Sequence, residues 1–292
     1  MKKYRIFSFI LLVLLLFSSC NINQVEKSKE KEHQELKNDV ITYNQDEMFR
    51  ISLAEAGLEN VFIQQATGFE NLDNDSSYCQ VFLLGYDLFD KRIPCDYYLA
   101  VLLDDKVYLH DLGICCYAST IELCDFDGDD DKEILLQETI GATGGAGQYK
   151  STVLDFENGE FKELFLSCKG KDGKFFDTGF SIEILKGNKF KIKNSITNYN
   201  EIFAFKYKTN KYLKSLYDEN GEPVKQQILV DSFFEFIPKD IDNDGVYEIV
   251  CCQYVSLIDH ADHIGNVKTI IKYNNKTSSF EIIDAEFEER ED

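Results

Sequence analysis

Two nine-residue stretches carry the chemistry of this sequence. One is Asp125-Phe126-Asp127-Gly128-Asp129-Asp130-Asp131-Lys132-Glu133 and the other is Asp240-Ile241-Asp242-Asn243-Asp244-Gly245-Val246-Tyr247-Glu248. Both place acids at positions 1, 3, 5 and 9. A hard cation such as Ca²⁺ takes six to eight oxygens at about 2.3–2.6 Å, and a tight loop brings alternate side chains to one point. Four carboxylates gathered there repel one another strongly unless a positive charge sits among them. The spacing therefore predicts two calcium loops.

An EF-hand loop would need an acid at position 12, and those positions here are Leu136 and Cys251. It would also need a helix to follow. Instead Ile134-Leu135-Leu136-Gln137 and Ile249-Val250-Cys251-Cys252-Gln253 are short apolar runs expected to be buried strands. Acids at positions 1, 3, 5 and 9 running straight into an apolar strand resemble the calcium loops of FG-GAP and VCBS-type repeats. Such loops occur in integrin-α-like β-propellers and in bacterial surface proteins. The resemblance implies side-chain ligands at Asp125, Asp127, Asp129 and Glu133, with the Asp131 carbonyl as a further ligand. In the second loop it implies Asp240, Asp242, Asp244 and Glu248, with the Val246 carbonyl. The departures are Asp130 where the family has glycine, Glu as the last acid, and no Phe-Gly or Gly-Ala-Pro signature.

Two other clusters are weaker. Gly141-Ala142-Thr143-Gly144-Gly145-Ala146-Gly147 is like a phosphate loop, but Tyr149 precedes Lys150-Ser151 where a Walker motif needs glycine. Asp259-His260-Ala261-Asp262-His263 is the one acid-histidine cluster, able to hold a transition metal or to pair a base with an orienting carboxylate. Both are expected to be loops between strands.

The elements that position the two acidic loops are expected to be β-strands. From about residue 60 onward, short β-rich runs alternate with turn chemistry. Cys79 to Tyr86, Tyr97 to Leu103, Val107 to His110, Ser151 to Phe156 and Phe161 to Phe165 are such runs, as are Phe180 to Leu185 and Phe190 to Ile192. Only Glu47 to Gln65 has a pattern compatible with a helix, weakened by Gly57.

The loops also extend as a repeat. Thr152-Val153-Leu154-Asp155-Phe156 follows the first, and Thr269-Ile270-Ile271-Lys272-Tyr273 holds the same place after the second. Asp240 lies 115 residues after Asp125, and a fainter echo, Asn71-Leu72-Asp73-Asn74-Asp75, begins 54 residues before it. A unit of about 55 residues follows, with one unit between the loops lacking its acids. A four-stranded propeller blade takes roughly 40–50 residues. The expectation is thus an all-β, β-propeller-like domain of four to five blades over residues 46–292, with a two-sheet sandwich as the alternative.

The start of the chain has the marks of an address. Lys2, Lys3 and Arg5 precede an apolar run from Ile6 to Phe17, too short to span a bilayer and right for a signal-peptide core. Phe17-Ser18-Ser19-Cys20 resembles a bacterial lipoprotein lipobox, with Phe17 where leucine is usual. That resemblance implies a signal peptide over 1–19 and acylation of Cys20. Residues 20–45 are polar and charged, and are expected to be a flexible tether.

Among 292 residues, 31 Lys and Arg stand against 52 Asp and Glu, a formal charge of −21. No basic face is on offer to a phosphate backbone, so nucleic acid is excluded as a partner. Eight cysteines besides Cys20 form no C-x-x-C pair and are expected to be buried thiols, with a disulfide framework as the alternative. The sequence thus points to an exported lipoprotein at the outer face of the cell envelope, held at the membrane by its lipid. Its expected role is binding or scaffolding, with another surface protein or a glycan as partner and two structural calcium ions as cofactors. The alternative is an envelope hydrolase or lyase acting on surface glycans through the loop from Asp259 to His263.

Overall fold

The computed structural model describes residues 49–50, 53–58, 61–72, 78–86, 96–104, 106–114, 118–139, 149–169, 174–206, 215–224, 229–257 and 262–290. Cys20, the signal segment, the tether and the glycine loop at 141–147 lie outside them, as do Asp259 and His260.

The chain is all-β, and every strand belongs to one compact unit, Asn60–Asp292. The first sheet is a meander of β1 (Val61–Asn71), β2 (Tyr78–Tyr86), β3 (Asp96–Leu103) and β4 (Lys106–Ile114). The second repeats the plan with β5 (Ala118–Cys124), β6 (Glu133–Thr139), β7 (Tyr149–Glu157) and β8 (Glu160–Leu166). A two-stranded ribbon follows, β9 (Cys168–Lys169) with β10 (Lys174–Phe175). Next comes a three-stranded sheet of β11 (Phe180–Leu185), β12 (Lys189–Asn194) and β13 (Asn200–Ala204). The last sheet is again a four-stranded meander, β14 (Leu229–Lys239), β15 (Glu248–Ser256), β16 (His263–Asn274) and β17 (Ser279–Glu289). All pairings are antiparallel between successive strands, and none of these sheets closes on itself.

Turn chemistry sets the hairpins. Asn158-Gly159 and Gly187-Asn188 all sit at positive φ, as tight turns of the primed type require. Period-two alternation then divides the side chains of the second sheet between two cores. Ile121, Ile134, Leu136, Leu154 and Phe156 face the first sheet, packing with Val81, Leu83, Leu99 and Val101. Cys124, Leu135, Val153 and Phe165 face the last sheet, packing with Phe233, Phe236, Ile249, Cys251 and Ile271. The second sheet is therefore a middle layer, which is why β6 is apolar on both faces. At its other end the last sheet uses Val255, Leu257, Val267 and Phe287 to cover Phe190 and Ile192 of the three-stranded sheet.

One expectation changes. Glu47 to Gln65 is not one helix. Residues 49–50 and 53–55 are helical, and Gly57, at φ 79°, ends the turn as the Leu58 N–H returns to the Leu53 carbonyl at 2.8 Å. Val61 already begins β1. The expected unit between the two acidic loops is the three-stranded sheet, one strand short of the others, and the second loop lies directly against the first, with the Tyr247 N–H donating to the Asp125 carbonyl at 2.7 Å.

Candidate metal centre

Each acidic loop joins the first two strands of a four-stranded sheet, 125–132 between β5 and β6 and 240–247 between β14 and β15. The two share one hydrogen-bond frame. The position-1 carboxylate folds back over the turn: Asp125 Oδ2 accepts from the Asp130 N–H and Asp240 Oδ2 from the Gly245 N–H, both at 3.2 Å. The other oxygens accept from the Gly128 N–H at 2.6 Å and the Asp244 N–H at 3.1 Å. At position 5, Asp129 Oδ1 accepts from the Asp131 N–H at 3.0 Å and Asp244 Oδ1 from the Val246 N–H at 2.9 Å. At position 9, Glu133 Oε2 accepts from the Phe126 N–H at 2.7 Å and Glu248 Oε2 from the Ile241 N–H at 3.0 Å.

The turn needs positive φ twice, at positions 4 and 6. The first loop meets this with Gly128 at 81° and Asp130 at 74°, the second with Asn243 at 59° and Gly245 at 93°. Asp and Asn are the side chains that best tolerate that region. Asp130 in place of glycine thus leaves the loop geometry unchanged. Gly128 has a second constraint, since a Cβ there would lie 3.1 Å from Cγ2 of Val246 in the neighbouring loop.

These frames bring three acids together in each loop. Asp125, Asp127 and Glu133 offer oxygens within 4.8 Å of one another, and so do Asp240, Asp242 and Asp244. Asp129 and Glu248 stand outside those triplets. Asp131 turns its buried carboxylate away from the loop to accept from Asn71 Nδ2. Asp127 Oδ1 is buried without a hydrogen-bond partner.

The charge balance of the two loops differs. Glu133 is 3% exposed, and burial, with Asp127, Asp125 and Asp129 nearby, pushes its carboxyl up to about 8 despite the Phe126 N–H. Burial and the Asp129 and Asp125 charges push Asp127 up to about 6. A divalent cation would reverse both effects by supplying the missing positive charge. In the second loop that charge comes from Lys272 on β16. Its Nζ lies 2.5 Å from Glu248, 3.4 Å from Asp244 and 3.8 Å from Asp242. The hydrogen bond to Glu248 leads the influences that hold the lysine above its ordinary value. Asp244 is held below its ordinary value, first by the Val246 N–H and then by Lys272.

The loops form a row. The Lys132 N–H, at position 8, donates to the Asn71 carbonyl at 3.1 Å, and the Tyr247 N–H, also position 8, to the Asp125 carbonyl at 2.7 Å. Asn71 and Asp125 are both first residues of their motifs, so each loop is tied to its predecessor by the same bond. Asn275 adds a second tie, donating from Nδ2 to the Asp127 carbonyl at 2.7 Å. Sequence reasoning gave no role to Lys272 or Asn275, and marked Asn71 only as the start of a fainter echo. Lys272 had a visible signal: it aligns with Asp155 in the two copies of the repeat, a reversal of charge. The backbone ties have no side-chain signature.

Of the acid-histidine cluster, Asp262 and His263 are described. His263 lines an open groove of about 1040 Å³ with Phe203, Tyr254, Asn266 and Glu288, and Tyr254 stacks on Phe234 at 4.0 Å between ring centroids. Of the described cysteines, Cys124, Cys168, Cys251 and Cys252 are free thiols. Burial pushes Cys124 and Cys252 up to about 12, which leaves them protonated and inert. No described helix is long and apolar enough to cross a membrane.

Residues 178–288 match the family model described as YybI C-terminal domain. The chain is similar to the uncharacterized protein YybI of Bacillus subtilis (strain 168), with 27% identity over 166 residues. That alignment takes in 56% of this chain and spans 61% of the relative's length. The matched region begins just before β11 and runs into β17, so it contains the three-stranded sheet, the second loop and Lys272, and leaves out the first loop.

Proposed function

We propose that this chain is an exported lipoprotein whose β-propeller-like domain is stiffened by bound calcium and serves as a surface binding or scaffolding module. One observation carries the calcium reading: two loops distant in sequence share three carboxylate-to-backbone hydrogen bonds at the same motif positions, from acids 1, 5 and 9. The first loop has most need of an ion, because buried Glu133 and half-buried Asp127 gather beside Asp125. Successive four-stranded meanders packed face to face and tied loop to loop support the propeller-like arrangement. The carboxylates of these loops are engaged in holding turns, which favours a structural ion over a catalytic one. The lipobox-like stretch ending in Cys20 supports anchoring at the outer face of the envelope, where a neighbouring surface protein or glycan is the expected partner.

Calcium-dependent unfolding tests the reading. A ligand that binds only the folded state adds RT ln(1 + [L]/Kd), about 2.7 kcal/mol per site at a hundred times Kd. Calcium should raise the melting temperature of chelated protein, and magnesium should substitute poorly because it requires shorter, octahedral bonds. A melting curve unmoved by millimolar calcium would reduce the loops to acidic turns.

A further inference from the structure

The two loops share three backbone hydrogen bonds and differ in what stands beside their position-9 glutamates. In the second sheet Ile134 pairs with Leu154, and in the last sheet Ile249 pairs with Ile271. One step outward, Asp155 and Lys272 therefore stand beside the position-9 glutamates, Glu133 and Glu248. Asp155 directs its carboxylate to Lys162 on β8, at 3.4 Å. Lys272 directs its ammonium into the loop, onto three of its four acids. Glu248 is 2% exposed, and a carboxylate so buried needs a charged or hydrogen-bonding partner. The ammonium is a compact charge that donates to Glu248 and Asp244 and lies at ion-pair distance from Asp242. A divalent ion entering this loop would have to displace that ammonium or lie close to a like charge.

We infer that Lys272 is the resident cation of the second loop, so that the chain takes its divalent ion at the first loop alone. The inference rests on the calcium reading of the first loop. It makes the second loop a copy whose ion has been replaced by a side chain, leaving that half of the domain independent of calcium.

Native mass spectrometry of the full chain in detergent, titrated with calcium, tests this. The wild-type chain should hold one ion, lost in Asp127→Asn and kept in Asp242→Asn. Lys272→Met should hold two, and the added ion should disappear when Asp242→Asn is combined with it. Lys272→Gln, which keeps a donor without the charge, serves if the methionine variant folds poorly. Two ions on the wild type would overturn the role of Lys272 and leave the calcium reading standing. One ion on both wild type and Lys272 variants would do the same. No ion on either would overturn the calcium reading and this inference together. An ion on the Lys272 variants alone would support Lys272 as a cation while refuting calcium at the first loop.

Discussion

Replacing Glu133 by glutamine should change stability in opposite directions with and without calcium. In calcium-free protein the folded chain holds the Glu133 proton up to about pH 8, against an ordinary value of 4.5. Between those values the folded state binds a proton that the unfolded chain has released. Stability therefore falls as pH rises through this window, and the loss is complete above it. The shift, at 1.36 kcal/mol per unit, amounts to about 5 kcal/mol by pH 8. Asp127 acts in the same direction with less weight, because water screens a half-buried group. Glutamine stays neutral and can still accept from the Phe126 N–H.

Urea denaturation of both proteins at pH 5, 6.5 and 8, after exhaustive chelation, reads the difference directly. At pH 5 the two should be nearly equal. At pH 8 Glu133→Gln should be the more stable by about 3–5 kcal/mol, and titrating groups distant from the loop cancel in the comparison. With saturating calcium the order should invert, because the wild type keeps its ionised ligand and the variant has lost it. A difference that stays flat with pH and is the same with and without calcium would refute the reasoning. Glu133 would then be only a hydrogen-bonding anchor for the turn.

Phe126 has no exposed surface and packs edge-on to Phe280 at 5.9 Å in the core between the second and last sheets. Phe126→Ala should cost about 3–5 kcal/mol by chemical denaturation, and a loss below 1 kcal/mol would mean the loops do not anchor that core. Cys20→Ala should abolish lipid labelling and release the chain from the membrane fraction. Unchanged retention of a cleaved Cys20→Ala form would end the lipoprotein reading.

The strands were legible because their chemistry is local. Alternation and turn residues mark β2, β3, β7, β8 and β11 within a residue or two, and the apolar runs after the acidic loops become β6 and β15. The loops were legible for the same reason, since ligand spacing is a property of nine consecutive residues. What the sequence hid is non-local. Gly57 ends a helical turn, and Val61 already begins β1, a pairing partner of β2. The spacing of 115 residues suggested an intervening blade, yet the second loop abuts the first, because cores are chosen by faces rather than by order along the chain. Asp130 looked like a defect in the motif, but Gly128 and Asn243 show that the loop has two left-handed positions and may spend its one glycine on either.

The ties between loops give the calcium reading a mechanical consequence. Asp125 and Asp127 offer their side chains to the proposed ion and their carbonyls to the last sheet, through the Tyr247 N–H and Asn275 Nδ2. An ion that fixes those two side chains also fixes the two acceptors that hold the next sheet in place. Phe126 lies between them in sequence and is buried in the core that joins the same two sheets. Ligand, tie and core contact thus alternate along three residues. On the calcium reading, an ion at the first loop would stiffen a joint between layers more than a hairpin. The second loop has no successor among the described sheets. An internal ammonium suffices there, because Lys272 has only to neutralise its own turn.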